Sequence, residues 1–284
     1  MATRANEIVP PRLSDLLRVP SNGAHLHHAP TRDTPGFTGT KRDAEATLPA
    51  MAAQLSELQE QLYAERSRSL LLVLQGMDTA GKGGTVRHVV GEMDPAGLRV
   101  AHFKAPTREE LRHDFLWRIR RELPPPGYIG VFDRSHYEDV VTARVIGTVD
   151  KRTWMRRFDA INRFEARLAA EGTRILKVYL HISTEESRAR LLERLDNPTK
   201  RWKFSPGDLA TRERWEEYLT AYEDALTRCS TDLAPWFIVP ADRKWYRNWA
   251  VSRLLIEQLE EMALSWPDPT YDVEEQRTRL LAMP

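Results

Sequence analysis

The sequence predicts an α/β protein whose parallel sheet is covered by helices on both faces. Three observations carry that prediction. The apolar run Ser69-Leu-Leu-Leu-Val-Leu-Gln75 leads directly into Gly76-Met-Asp-Thr-Ala-Gly-Lys-Gly-Gly-Thr85, a glycine-rich turn at the spacing of a phosphate-binding loop between a strand and a helix. Short apolar runs recur along the chain, separated by helical patterns, as crossover connections require. One of them ends in Phe132-Asp133-Arg134, which places charged groups just past a buried strand. That is the sheet edge where open α/β folds bind ligands.

The elements follow in order. Residues 1–40 are rich in Pro, Gly, His and Arg with little periodicity and read as an arm, extended or partly disordered. Leu48, Met51, Leu55, Leu58 and Leu62 recur at three and four residues, the mark of an amphipathic helix. Strand 69–75 and the phosphate loop come next, then a helix from Lys82 into the 90s. Arg99 to Phe103 reads as a second strand, 109–122 as a helix ended by Pro124-Pro-Pro126, and Tyr128 to Phe132 as a third strand. Helices are expected near 135–145, over 151–171 and over 184–195, with a buried strand from Ile175 to Ile182 between the last two. A short last strand, Trp236 to Val239, precedes helix 243–264. The main domain is expected over 41–270, with a lid at about 190–215, and 271–284 reads as a tail. Connections between the parallel strands should be right-handed.

Composition excludes several classes. The 42 Lys and Arg balance 41 Asp and Glu, so any polyanion site must come from local clustering. No apolar run approaches membrane-spanning length, and no apolar signal core opens the chain. The single cysteine, Cys229, rules out an internal disulfide framework and a cysteine-based zinc site. The expectation is a cytoplasmic protein that binds neither membrane nor nucleic acid.

The phosphate loop carries the chemistry. Gly76, Gly81, Gly83 and Gly84, with Ala80 and Thr85, let backbone N–H groups turn toward an anion, and Lys82 adds a full charge. Gly83 stands where such loops usually have the Ser or Thr whose hydroxyl holds Mg²⁺. Asp78 puts a carboxylate inside the loop, where it repels phosphate by about 1 kcal/mol or more at contact distance unless a cation lies between. We therefore read Asp78 as a Mg²⁺-side residue; the alternative is a chance Gly-Lys turn with Asp78 as a helix cap. Asp133 can support the same ion, and Arg134 can neutralise a transferring phosphoryl group. The competing reading makes Asp133 or Ser135 a helix cap, with Glu138 completing a capping box. Glu138 is otherwise a candidate beside the metal, while His136 reads equally as packing or chemistry.

Two basic regions remain. Arg152, Arg156, Arg163 and Arg167 line one face of helix 151–171, either as a solvated face or as a channel wall. The loop Arg194-Leu-Asp-Asn-Pro-Thr-Lys-Arg-Trp-Lys203 gathers Lys200, Arg201 and Lys203 around Trp202 and suits a lid that closes over phosphates and excludes water; the alternative is a solvated basic loop. Arg243, Lys244 and Arg247 form another basic group among Trp245, Tyr246 and Trp249; the aromatics read as core and the cations beside them as candidates to face the site.

GMDTAGKGGT at 76–85, FKAPTREELRHDFLWRI at 103–119, FDRSHYEDV at 132–140, RWKFSPGD at 201–208 and ADRKWYRNW at 241–249 together resemble a family-2 polyphosphate kinase, from roughly residue 30 to 264. The resemblance implies a three-layer P-loop kinase fold like that of thymidylate kinase, with a helical lid. It implies reversible, Mg²⁺-dependent phosphoryl transfer, with Mn²⁺ as a substitute, between inorganic polyphosphate and purine nucleotides: AMP or ADP, with GMP and GDP as further candidates. By matching motif, Asp78 and Asp133 would hold metal and orient the acceptor, Lys82 and Arg134 would bind the phosphates in transfer, and Arg194 and Lys203 would be lid contacts. Asp133 stands where many members with this motif carry Asn, which leaves mono- against diphosphate acceptors open. A dimer or tetramer is expected. The other functions compatible with the same motifs are an ATP-dependent nucleotide kinase and a non-catalytic polyphosphate- or nucleotide-binding module.

Overall fold

The computed structural model describes residues 11–284. Its centre is a five-stranded, wholly parallel sheet in the order β2-β3-β1-β4-β5. β1 (Ser69–Gln75) lies in the middle and is buried at every position. A strand covered on both faces can be continuously apolar, which is why this run shows no alternation. Each fully buried Leu there contributes roughly 1.5–3 kcal/mol. β2 (Leu98–His102) and β3 (Ile129–Asp133) extend the sheet on one side, β4 (Thr173–His181) and β5 (Trp236–Pro240) on the other.

Residues 11–40 pack on the domain. The short helix α1 (Leu13–Leu17) is held by the buried carboxylate of Glu257, which accepts the N–H groups of Leu13 and Ser14 at 3.0 Å each. Arg18 then forms an antiparallel bridge to Phe237, and Val19 N–H donates to Trp236 O at 2.8 Å, so the chain covers the open edge of β5. The expectation for residues 1–10 lies outside the described residues.

The long helix α2 (Lys41–Glu65) starts at a capping box between Thr40 and Asp43 and packs on α10 (Lys244–Glu261), which also contacts β4 and β5. Helix α6 (Lys151–Ala170), capped by Asp150, packs against β4 as well and turns Trp154, Phe158, Ile161 and Leu168 inward. Helix α3 (Lys82–His88) leaves the phosphate loop and is shorter than its sequence pattern; a 3₁₀ turn at Val90–Glu92 follows it.

Two of the expected helices are each divided. The helix expected over 109–122 is broken into a 3₁₀ turn at Glu110–Arg112 and α4 (Trp117–Arg121). His113 is extended between them, and Asp114 Oδ1 accepts the Leu116 N–H at 3.1 Å, which restarts the helix locally. Likewise 135–145 divides into a 3₁₀ turn, His136–Asp139, and α5 (Thr142–Val145). Ser135 caps the turn by accepting the Tyr137 N–H at 3.2 Å, but Glu138 accepts from Thr142 Oγ1 and closes no capping box.

Beyond β4, α7 (Thr184–Asp196) is capped by Ser183 and rises into the lid, where a 3₁₀ turn spans Arg201–Lys203. α8 (Pro206–Glu213) and α9 (Trp215–Arg228) return the chain to the sheet; α8 falls within the helical lid expected at about 190–215, and α9 is not among the expected helices. The signal for the start of α8 was present, since Ser205 at the N-cap, Pro206 at the first position and Asp208 three residues on make a capping box. The C-terminal helix α11 (Val273–Leu281) buries none of its residues.

Candidate active site

The phosphate loop is tight and strained. Gly76 (φ 150°) and Gly81 (φ 110°) take backbone angles that a side chain disfavours, and Thr79 adopts φ 67° despite its branched side chain. Lys82 opens α3, is nearly buried, and donates to Gly76 O at 2.7 Å and Met77 O at 3.2 Å. Burial, and the neighbouring Arg134, push its ammonium below the usual lysine value against the pull of Asp78, Asp133 and Glu138. Ala80 is buried beneath the loop, and Thr85 is buried with a hydroxyl that finds no partner. A Cβ at Gly83 would meet nothing within 4 Å, so space does not explain the missing hydroxyl there.

β3 runs beside β1 with Asp133 opposite Leu74. That pairing delivers the Asp133-Arg134 step to the phosphate loop, 55 residues away in sequence, as a consequence of strand order alone. Arg134 turns back at φ 65° and donates to Asp78 Oδ1 at 2.8 Å. Burial alone would lower its guanidinium, but Glu138, Asp78 and Asp133 raise it above its ordinary value. Asp133 Oδ2 lies 3.2 Å from Nδ1 of His102, at the end of β2. Two left-handed non-glycine residues, Thr79 and Arg134, thus lie beside one another at the phosphate loop and line the same cavity, and such strain commonly accompanies function.

Three cavities surround the loop. The front one, about 710 Å³, is lined by Asp78, Lys82, Asp133 and Arg134 together with lid residues Arg194 and Lys203. A smaller one, about 320 Å³, holds Glu138, Asp78 and Arg134 facing Tyr218 and Tyr222 of α9. The rear one, about 990 Å³, lies between α2, α7 and α10 and is lined by Arg190, Lys200, Lys203, Lys244 and Arg247. Front and rear cavities share Thr79, Gly81 and Gly84, so the loop is open on both sides.

The lid residues divide. Arg194 bonds Lys203 O at 3.1 Å and Asp208 Oδ2 at 3.2 Å, tying the lid together at the front cavity. Lys200 pairs with Glu193, and Arg201 donates to Leu195 O at 2.9 Å while staying exposed. Lys203 pairs with no carboxylate among the described residues, and its Nζ lies 5.1 Å from the centre of the exposed Trp202 ring. The arginines at 152, 156, 163 and 167 are exposed on α6 and line none of the three cavities.

His136 belongs to the core. Its Nε2 is 3.2 Å from Glu165 Oε1, and Glu165 also takes Tyr137 Oη at 2.8 Å and Lys177 Nζ at 2.5 Å. Asp139 pairs with Arg118 at 3.1 Å rather than with the loop, and burial raises its carboxyl. Sequence reasoning missed Arg190. Its Nη1 donates to Thr79 O and Ala80 O, its Nη2 to Ala241 O and Asp242 O, and its Nε to Glu186, tying the phosphate loop to the segment before α10. In sequence it reads as half of a surface i,i+4 pair with Glu186.

Among the described residues no three His, Cys, Asp or Glu side chains gather into a metal cage. Asp78 and Asp133 offer two oxygen donors at the front cavity. That donor set fits Mg²⁺, which takes one or two carboxylates and completes its shell with water and substrate phosphates.

The profile of the family Polyphosphate kinase 2 (PPK2) matches residues 38–266. The AMP/ADP-polyphosphate phosphotransferase of Meiothermus ruber is 49% identical over 237 residues, covering 84% of this chain and 89% of its own length. The ADP-polyphosphate phosphotransferase of Rhodopseudomonas palustris is 42% identical over 253 residues, 85% and 87% of the two chains. The crystal structure of polyphosphate kinase 2 from Arthrobacter aurescens TC1 superposes with a TM-score of 0.94 at 49% identity, over 96% of this chain and 98% of that one. The chain belongs to the polyphosphate kinase 2 family.

Proposed function

We propose that this member of the polyphosphate kinase 2 family moves phosphoryl groups between inorganic polyphosphate and nucleoside mono- or diphosphates, adenine nucleotides first, reversibly and with Mg²⁺. The observation that carries the reading is the phosphate loop open on two sides. A front cavity bears both carboxylates and Arg134, and a rear cavity rich in Lys and Arg meets it along Thr79, Gly81 and Gly84. A nucleotide fits the first, and a long anion can enter through the second.

In transfer, an oxygen of the acceptor's terminal phosphate forms a bond to the end phosphorus of the chain. The bond from that phosphorus to the next bridging oxygen breaks, and the chain leaves one unit shorter. Phosphoryl transfer needs positioning and charge neutralisation rather than a covalent nucleophile. Lys82 gives up the loop carbonyls it now caps and binds the transferring group. Arg134 neutralises the same group from the β3 side, held in place by Asp78. Asp78 and Asp133 would hold Mg²⁺, which when bound supplies charge stabilisation on phosphate oxygens. Arg194 and Lys203 close the lid against water, the competing acceptor. Glu138 orients the acceptor side from the smaller cavity.

No helix among the described residues is long and apolar enough to cross a membrane, and Cys229 is buried and free. Both support a cytoplasmic location. The uncovered Val273, Leu280 and Leu281 of α11 support assembly with further copies.

The test is purified protein with polyphosphate and AMP, ADP, GMP or GDP in turn, with products separated, with and without EDTA. Polyphosphate-dependent formation of a higher nucleotide that EDTA abolishes is the expected result. Transfer from ATP alone would make the protein an ordinary nucleotide kinase, and Asp78→Asn and Asp133→Asn variants with unaltered Mg²⁺ dependence would remove the metal assignment.

A further inference from the structure

We propose that Arg247 is a ligand for the donor chain, binding phosphates upstream of the transferring one and thereby favouring a polyphosphate over a nucleoside triphosphate as donor; this rests on the function proposed above. Arg247 lies in the first two turns of α10 and is only 3% exposed. Its Nε and Nη2 donate to a single acceptor, Asn248 Oδ1, at 3.1 and 2.8 Å. A guanidinium carries five N–H donors, so three are left without an acceptor among the described residues, at the end that lines the rear cavity. No carboxylate among the described residues offsets its charge. Burial, with Arg190 adding repulsion, lowers its pKa to about 10. A buried cation left in this state is costly unless an anion completes it.

Arg190 shows what a structural arginine looks like in the same place. It is also nearly buried, yet its donors reach Glu186 and four backbone carbonyls, and nothing is left over for a ligand. Arg247 has the same burial and one neutral acceptor.

Its free end is aimed at the phosphate loop. A Cβ on Gly81 would lie 1.8 Å from Nη1, and one on Gly84 would lie 2.9 Å from Nη2. The guanidinium therefore fills the space that side chains at both positions would occupy. Gly81 is required by its φ as well, but Gly84 has no such backbone demand. Its lack of a side chain is accounted for by Arg247.

Arg247 lines the rear cavity and not the front one that holds Lys82, Asp133 and Arg134. A phosphate that meets this guanidinium from the rear cavity would be adjacent to, and not the same as, the group held by Lys82 and Arg134. Arg243 and Lys244 line the same cavity, so further units of a repeating anion meet charge in turn. A nucleoside triphosphate would instead put its sugar and base among these cations.

The experiment compares the parent with Arg247→Gln, Arg247→Lys and Gly84→Ala, using polyphosphates of defined length, tripolyphosphate and ATP as donors and ADP or AMP as acceptor. Arg247→Gln should raise the KM for long polyphosphate about tenfold or more, as expected for lost charge-assisted hydrogen bonds. The acceptor KM should stay within about twofold, and Arg247→Lys should recover part of the loss. The length dependence of KM should flatten, and the preference for polyphosphate over ATP should narrow. Tripolyphosphate binding measured by calorimetry without acceptor should weaken in parallel. If Arg247→Gln does not fold, Gly84→Ala, which displaces only the end of the side chain, should produce the same rise. Unchanged polyphosphate KM in a folded Arg247→Gln or Gly84→Ala protein, or equal rises for donor and acceptor, overturns the proposal. A parent without polyphosphate-dependent transfer overturns the proposed function instead.

Discussion

On the α6 side of the sheet, Lys177 of β4 is wholly buried, and its ammonium closes onto Glu165 at 2.5 Å, Cys229 O at 2.6 Å and Tyr137 Oη at 3.0 Å. At the carboxyl edge of the same sheet, Lys82 and Arg247 are almost as buried but hydrogen-bond only to carbonyls and a neutral amide, with Asp78, Asp133 and Glu138 near Lys82 but not bonded to it. The first cluster is complete: Glu165 is held below the usual carboxyl range because Lys177 and His136 outweigh the effect of burial. The second lacks its anion. A closed charge network fixes the chain beneath Asp133 and Arg134, whereas an open one is where a ligand completes the electrostatics.

The largest expected effect is on the closed cluster. Lys177→Met leaves Glu165 buried without its ammonium and should cost about 3–5 kcal/mol in urea unfolding, and a Lys177→Met/Glu165→Leu double variant should regain much of that. Because Glu165 titrates below its unfolded value, its contribution is present above the ordinary glutamate range and is lost as pH falls through the folded value. The stability of Glu165→Gln should therefore fall less steeply in acid than the parent's. A Lys177→Met protein as stable as the parent would erase the contrast between the two clusters.

Next is the open cluster. Lys82→Met should lower kcat about 10²- to 10³-fold, as for the loss of one charge-stabilising donor. Its melting temperature should be equal to or above the parent's, since charged Lys82 is a burden to the empty site. The sign follows from its lowered pKa: the unfolded state holds the proton more tightly, so the parent gains stability as pH rises from the folded pKa toward the ordinary lysine value. Lys82→Met should lack that gain. Marked destabilisation at neutral pH would place Lys82 with Lys177 as a structural cation.

The smallest effect belongs to the exposed lid. A Lys200/Arg201/Lys203 triple Ala variant should raise the polyphosphate KM about tenfold and the nucleotide KM little, with the difference shrinking as salt rises. Glu193 already engages Lys200, and Arg201 is turned to Leu195 O, so most of the loss should reside in Lys203→Ala alone.

The sequence by itself marked the five strands, the phosphate loop, and Asp78, Lys82, Asp133 and Arg134 as candidates, and the structure brings these four side chains to one cavity. The marks are local signals: a continuous apolar run, glycine spacing, and charge at a strand end. The sequence reading did not mark α9, and it held α8 only as part of a helical lid, although Ser205-Pro206 and Asp208 form a readable helix start. It left His136 undecided because a buried pair with Glu165, 29 residues away, has no local mark. Tertiary structure alone decided which cations carry a partner. Arg190 looks like a surface pair in sequence and proves to tie the loop to α10. Arg247 looks like part of an aromatic helix face and proves to touch two glycines more than 160 residues earlier. Burial and pairing of charge depend on long-range packing, and packing is fixed only once the strands have taken their places in the sheet.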